Sequence, residues 1–343
     1  MTPKDSGPVP VPPSEVLIKL PQDQYCHAEA PTEWWWHTGT LVAGDRAFGF
    51  EINAASFAPA AFSEVMLTDV ANQRHYQKTA PQTPGAWAET DPSKDWYVKL
   101  GNPELEHDWI WMTAPQADPS NMTVKAQLQD EATGTIILFD LVMAQQGPPL
   151  IVWGTGCNPT PPNDGGSVTA NNYYYSFTRL QASGTIAIGD EVFEVTGQTW
   201  MDHEYGLFGS STEPVLWYLQ DMQLDNGVHI SHYMTLTGDN PPQAGQSYPS
   251  NATIQFPDGT TYFVRDCTMT PGTRTWTAPN GQLFFLDFQV EIPDFGASIA
   301  VTTPVDDQAF LAYGAYVYEG LATASGTFDG QQVSGTAWNE QRP

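Results

Sequence analysis

Ala182-Ser183-Gly184-Thr185-Ile186, followed after a short turn by Val195-Thr196-Gly197-Gln198-Thr199-Trp200, returns near the end of the chain as Ala324-Ser325-Gly326-Thr327-Phe328 and Val333-Ser334-Gly335-Thr336-Ala337-Trp338. The offset is 142 residues before the turn and 138 after it, so the second hairpin is four residues shorter. A repeat of this kind decides the architecture before any single element does. Upstream of each copy lies an aromatic strand that ends at a glycine turn, 34–42 before Gly44 and 216–224 before Asn226-Gly227. Each half therefore opens with a Trp-bearing strand and closes with the same hairpin. The pattern predicts one lobe over 33–206 and a second over 214–343, with 209–214 between them; chance recurrence of ordinary turn chemistry is the competing reading.

Around this frame, runs of five to nine residues with strand character are punctuated by Gly44-Asp45, Asn226-Gly227 and Asp258-Gly259, the dipeptides of tight hairpins. Strands are expected at 48–52, 136–142, 173–180, 229–236 and 283–292, and no amphipathic helix longer than about three turns is found. Residues 1–32 hold seven prolines and read as an extended arm. The fold class is all-β, two antiparallel barrels or sandwiches, in which closure hides the edge strands.

Composition narrows the function. With 12 Lys+Arg against 39 Asp+Glu the formal charge is −27, which excludes nucleic acid and an anionic membrane surface as partners because phosphate contacts need cations. The 12 Trp, 14 Tyr and 16 Phe argue for a packed, ordered chain. Cys26, Cys157 and Cys267 are far apart, which leaves one bridge plus a free thiol open. Asn121 and Asn251 begin N-glycosylation sequons. With the acidic, lysine-poor composition they point to an extracellular protein, the signal peptide removed or outside the sequence; a cytoplasmic location is the alternative.

Four segments carry candidate chemistry. In Glu33-Trp34-Trp35-Trp36-His37-Thr38-Gly39, alternation puts Glu33, Trp35 and His37 on one face and Trp34, Trp36 and Thr38 on the other. Trp on both faces implies that both are covered. Glu51 in the next strand gains a raised pKa if its face looks into a cavity, and is a solubilising charge if it looks into water. Trp200-Met201-Asp202-His203-Glu204-Tyr205-Gly206 places two carboxylates around an imidazole, an acid and a base in one segment. No metal is expected there, because neighbouring strand residues face opposite ways and HExxH spacing is absent. Tyr173, Tyr174 and Tyr175 add phenols, which line apolar pockets.

Taken in order, Glu33 to Gly39, then Tyr175-Ser176-Phe177-Thr178-Arg179-Leu180 with Ser183-Gly184-Thr185, then Trp200 to Gly206, resemble the motifs of the carotenoid 1,2-hydratase/AttH-like lipocalin superfamily. The resemblance spans most of the chain. It implies two lipocalin-like β lobes with a pocket between or within them, and Asp202, His203 and Glu204 are the positions that match the family's acidic motif. The acidic chain and its sequons are closer in character to the secreted fungal kievitone hydratase branch than to the membrane-associated carotenoid enzymes.

The expectation is a cofactor-independent hydro-lyase that adds water across a prenyl-type trisubstituted double bond of a hydrophobic phenolic or isoprenoid substrate. Asp202 or Glu204 is the acid, poised by His203; Glu51 or His37 activates the water; Trp35, Trp36, Tyr173, Tyr175, Tyr205 and Trp217 line the pocket. A pericyclase or terpene cyclase and a non-catalytic carrier of a hydrophobic ligand are the alternatives, and homodimerisation stays open.

Overall fold

The computed structural model describes residues 8–82, 87–160, 163–208, 215–237, 240–312 and 314–343. The stretch 209–214, expected as the inter-lobe linker, lies outside them. Among the described residues there are strands and three 3-10 turns but no α-helix.

The first sheet is antiparallel, and its centre is Thr32–Ala43, flanked by Arg46–Phe57 on one side and Glu191–Gly206 on the other. Ala60–Asp69 and Arg74–Gln82 extend it one way; Asn172–Ile188, Ile136–Gln145, Asn121–Gln129, Trp109–Ala114 and Trp96–Leu100 extend it the other. The second sheet is centred in the same manner on Val215–Leu224, between His229–Thr237 and Gln331–Arg342. Ala297–Thr302 pairs with both Asp287–Ile292 and Ala315–Phe328, which closes eight strands into a ring, the size whose interior side chains can fill. The two lipocalin-like barrels have separate cores, one built around Trp35, Phe50, Phe139 and Tyr175 and the other around Tyr218, Ile254, Phe288 and Ile299.

The repeated motif has a packing cause. A Cβ on Gly184 would sit 2.1 Å from the Asp140 carbonyl oxygen, and one on Gly326 would sit 2.1 Å from that of Ser298. In both barrels the hairpin is crossed by a third strand at a point where only glycine leaves room.

Two expectations need correction. The strand read at 283–292 is two elements: Leu283–Phe285 pairs with Thr275–Thr277 in a small ribbon, and Asp287–Ile292 joins the barrel. The break occurs where the Phe285 carbonyl accepts side-chain hydrogen bonds from Asn339 and Gln341 and Leu286 N–H turns to the Arg274 carbonyl. No bridge forms either, since Cys26, Cys157 and Cys267 are all free thiols.

The segment before Thr32 packs onto both barrels. Leu17 N–H donates to the Thr155 carbonyl and Val11 N–H to that of Thr261, each at 2.8 Å, while Ile18, Gln24 and Tyr25 are buried. The barrels also meet directly. Gln223 Nε2 donates to the Thr178 and Thr199 carbonyls at 2.7 and 3.1 Å, and Arg179 reaches His229 Nε2 at 3.0 Å and the Gly227 carbonyl at 2.9 Å.

Candidate active site at the seam between the barrels

Register fixes which side chains share a face. Opposite Trp36 lie Asn53 and Asp202; opposite Thr38 lie Glu51 and Trp200; opposite Trp34 lie Ala55 and Glu204. One strand further out, Glu64 faces Asn53, Ser176 faces Asp202 and Tyr174 faces Glu204. In the second barrel the matching face holds Trp217, Leu219 and Asp221, opposite Arg342, Glu340 and Trp338, with Glu319 beside Glu340. These faces stack on each other. A Cβ on Gly49 would strike Leu321 at 2.5 Å, and a cavity of about 10 Å³ is lined from one side by Thr38 and Trp200 and from the other by Asp221, Gln223 and Trp338. That volume holds about one water.

The seam is unusually acidic for a buried surface. Glu51, Glu64, Asp202, Glu204, Asp221 and Glu319 are buried, and Glu340 is part-buried at the edge with Trp36 and Trp217. Burial disfavours a carboxylate's charge, and each neighbour's charge adds to the cost. Burial followed by the Glu64 and Glu340 carboxylates pushes Glu51 well above the usual range. Burial also raises Glu64, Asp221 and Glu319 well above it. Glu340 is pushed up to about 8 by burial and then by Asp202; Glu204 rises to about 8 by burial, against a hydrogen bond from Asn172 Nδ2 at 2.5 Å.

Asp202 is held below Glu204 and Glu340. Burial lifts it only to about 6, because Oδ1 accepts from Ser176 Oγ at 2.5 Å and Trp200 Nε1 at 2.7 Å. Indole N–H groups recur as donors here: Trp338 Nε1 donates to Glu319 at 2.6 Å and Trp217 Nε1 to Glu340. By contrast, Trp36 Nε1 and both oxygens of Glu51 stand close without a well-formed hydrogen bond. Near neutral pH the seam therefore contains both protonated and ionised carboxyl groups, walled by aromatic rings.

A sequence model of the AttH-like family matches residues 11–340. The chain belongs to the AttH-like family. Its fold is similar to that of an AttH protein from Nitrosomonas europaea, with a TM-score of 0.74, 22% identity, and 97% of this chain and 98% of that one covered. It is also similar to kievitone hydratase from Nectria haematococca, with a TM-score of 0.72, 13% identity, and 94% and 92% covered. CghA is more distant, with a TM-score of 0.52, 12% identity, and 90% and 87% covered. No curated protein matches the chain in sequence. This AttH-like chain thus shares its fold with kievitone hydratase.

The structure divides the residues expected at the site between the seam and the interior of the first barrel. Asp202, Glu204, Glu51, Trp36 and Trp217 lie on the seam. His203 does not poise Asp202, since it points into the first barrel, where Nε2 meets Glu33 Oε1 at 3.0 Å and Nδ1 meets Tyr175 Oη at 3.2 Å. His37 lies on that interior face opposite Ile52 and Met201. Neither of its ring nitrogens has a hydrogen-bond partner, and burial lowers its pKa to about 3, so it is a neutral core ring with no access to seam water. Trp35, Tyr173, Tyr175 and Tyr205 belong to the barrel core as well, and do not line the seam. Their places are taken by Trp34, Tyr174, Trp200 and Trp338, the residues out of phase with them.

The carboxylates that sequence reasoning missed are Glu64, Asp221, Glu319 and Glu340. A signal existed for one of them: adding the repeat offset of 138 to Asp202 gives Glu340, so Trp200-Met201-Asp202 and Trp338-Asn339-Glu340 are equivalent. Of the sequon residues, Asn121 is exposed, whereas Asn251 is part-buried on Tyr248–Gln255 with its Oδ1 shielded from solvent.

Proposed function

We propose that this AttH-like protein is an acid–base hydro-lyase that adds water across a prenyl-type trisubstituted double bond of a hydrophobic phenolic or isoprenoid substrate, with Asp202 and Glu340 as the working pair. The observation that carries this reading is that two equivalent acids, one from each repeated hairpin, face one aromatic seam, where the Asp202 carboxylate raises Glu340's cost of ionising.

Protonating such an alkene gives a tertiary cation. The reaction needs a neutral carboxylic acid beside the alkene, a carboxylate to take the proton from water, and rings to face the cation. Two interacting carboxyl groups, one protonated and one ionised, meet the first two needs. Glu340, at the higher value, holds that proton and gives it to the alkene carbon. Asp202, whose anion is supported by Ser176 and Trp200, accepts the proton from water as its oxygen bonds to the tertiary carbon. Trp36 and Trp217 supply aromatic faces at the outlet of the seam, each worth about 0.5–2 kcal/mol to a cation. Because the cavity holds little more than one water, a substrate enters by displacing the part-buried groups at that outlet.

Incubation with a panel of prenylated phenols tests the reading by mass. A gain of one water in the wild type, absent in Asp202→Asn and Glu340→Gln, is the expected result. A product isomeric with its substrate would replace hydration by cyclisation, and recovery of unaltered ligand from tight complexes would indicate a carrier.

A further inference from the structure

On the face of the first sheet turned away from the seam, four side chains with metal-binding atoms converge. Glu33, in Thr32–Ala43, is only 2% exposed. Its Oε1 lies 2.8 Å from His27 Nδ1 and 3.0 Å from His203 Nε2, and its Oε2 lies 3.0 Å from Cys26 Sγ. The His27, Glu33 and His203 donor atoms all lie within 4.8 Å of one another.

The rings are held in place from outside the cluster. His203 stacks on Trp35 with centroids 4.3 Å apart and His27 on Tyr205 at 3.7 Å. Tyr175 Oη gives its one proton to Gln24 Oε1, while Gln24 Nε2 turns to Met122 Sδ at 3.9 Å. The same Oη therefore accepts from His203 Nδ1–H at 3.2 Å. In the neutral ring this leaves the Nε2 lone pair aimed at a carboxylate oxygen 3.0 Å away. Two acceptors cannot rest at that distance unless a cation lies between them, either a proton or a metal ion. A hydrogen-bond partner that fixes the tautomer from behind the ring in this way is the usual setting of a metal-ligating histidine.

We propose that His27, Glu33 and His203, with the Cys26 thiolate as fourth ligand, bind a divalent cation of the zinc class that fastens the segment before Thr32 to the first barrel. Two imidazoles, a carboxylate and a thiolate suit zinc or cobalt and not calcium or magnesium, which prefer oxygen. Tetrahedral bonds of about 2.0–2.3 Å spread the donors a few tenths of an ångström further apart than they stand now. Binding displaces the protons bridging the triad and the thiol proton, so protons are released to solvent. His27 is 19% exposed, which gives the ion a path in. The site lies on the opposite face from the seam, and the proposed hydration does not pass through it.

The test uses the full chain, stripped with a chelator, dialysed and titrated with Co(II). The expected result is one ion per chain, with the visible bands of four-coordinate cobalt, a near-ultraviolet thiolate charge-transfer band, displacement by Zn(II) and a rise in melting temperature with the metal. His27→Gln should weaken binding at least tenfold. Cys26→Ser, at a part-buried position, should keep the visible bands and lose the charge-transfer band; near-ultraviolet circular dichroism verifies the fold of both variants. Absence of cobalt bands in the wild type, or equal binding by folded His27→Gln, would overturn the proposal and leave the triad bridged by protons.

Discussion

Asp202 and Glu340 stand at the same position in the two copies of the repeated hairpin, two residues beyond Trp200 and Trp338, and each accepts an indole N–H, from Trp200 and Trp217 respectively. Internal repetition thus gives one site a carboxyl group from each barrel. Asp202→Asn and Glu340→Gln keep size and most hydrogen bonding while removing the transferable proton. Each is expected to lower kcat by about 10²–10⁴-fold, the usual worth of a positioned acid or base, with a melting temperature no lower than that of the wild type. Steady-state kinetics alongside thermal unfolding separates the two effects.

Stability should fall as pH rises from about 7.5 through 8. Glu340 rises from its ordinary 4.5 to about 8 in the folded chain, so the folded state binds the proton more tightly than the unfolded state does. Its contribution is complete below the unfolded value and is lost as pH rises through the folded one. The buried histidines His37, His229 and His232, lowered to about 3, are neutral when folded but still take up protons near their ordinary 6.5 when unfolded, so they oppose this slope at lower pH and release it only above about pH 7.5. Urea midpoints measured across the window should decline with pH, and Glu340→Gln should flatten the decline; an unchanged slope in the variant would remove Glu340 from the account.

His37 offers the opposite case, a polar ring with no partner in an apolar core. Replacing it with Phe removes an uncompensated desolvation cost, expected to be about 1–3 kcal/mol for a buried group left without a hydrogen bond, at the risk of a small steric penalty. His37→Phe should unfold at an equal or higher urea concentration and turn over within a few-fold of the wild type. Loss of turnover in the folded variant would return this residue to the chemistry.

Gly184 and Gly326 are interchangeable in their reason for being glycine. Alanine at either would bring Cβ to 2.1 Å from a neighbouring strand's carbonyl oxygen. Gly184→Ala and Gly326→Ala are each expected to cost at least about 1–3 kcal/mol, the range for overpacking, as read from chemical unfolding. An alanine variant as stable as the parent would show that the crossing strand yields.

Much of this was legible in the chain. The repeated hairpins, the flanking Trp strands and the hairpin dipeptides led to two β barrels because close approach and turn geometry restrict residue type locally. Period-two alternation puts His203 on the face opposite Asp202 and Glu204, a consequence that the expectation of a His203-poised acid did not take up. What alternation cannot supply is which face is covered by the other barrel. Trp occupies both faces at Trp34, Trp35 and Trp36, so hydrophobicity did not distinguish the core from the seam, and Tyr173 and Tyr175 were chosen where Tyr174 lies on the seam. Glu64, Asp221 and Glu319 look like solvated charges until the second barrel is laid over the first, since their burial is a property of the pair.

In the proposed hydration, Asp202 and Glu340 pass a proton and a water across an alkene at the seam. It is tested most directly by turning over a prenylated phenol in ¹⁸O-labelled water and reading the product by mass spectrometry in the wild type, Asp202→Asn and Glu340→Gln. The wild type should give one labelled oxygen in a tertiary alcohol, and either folded variant none. Labelled product from both variants at the wild-type rate would contradict it.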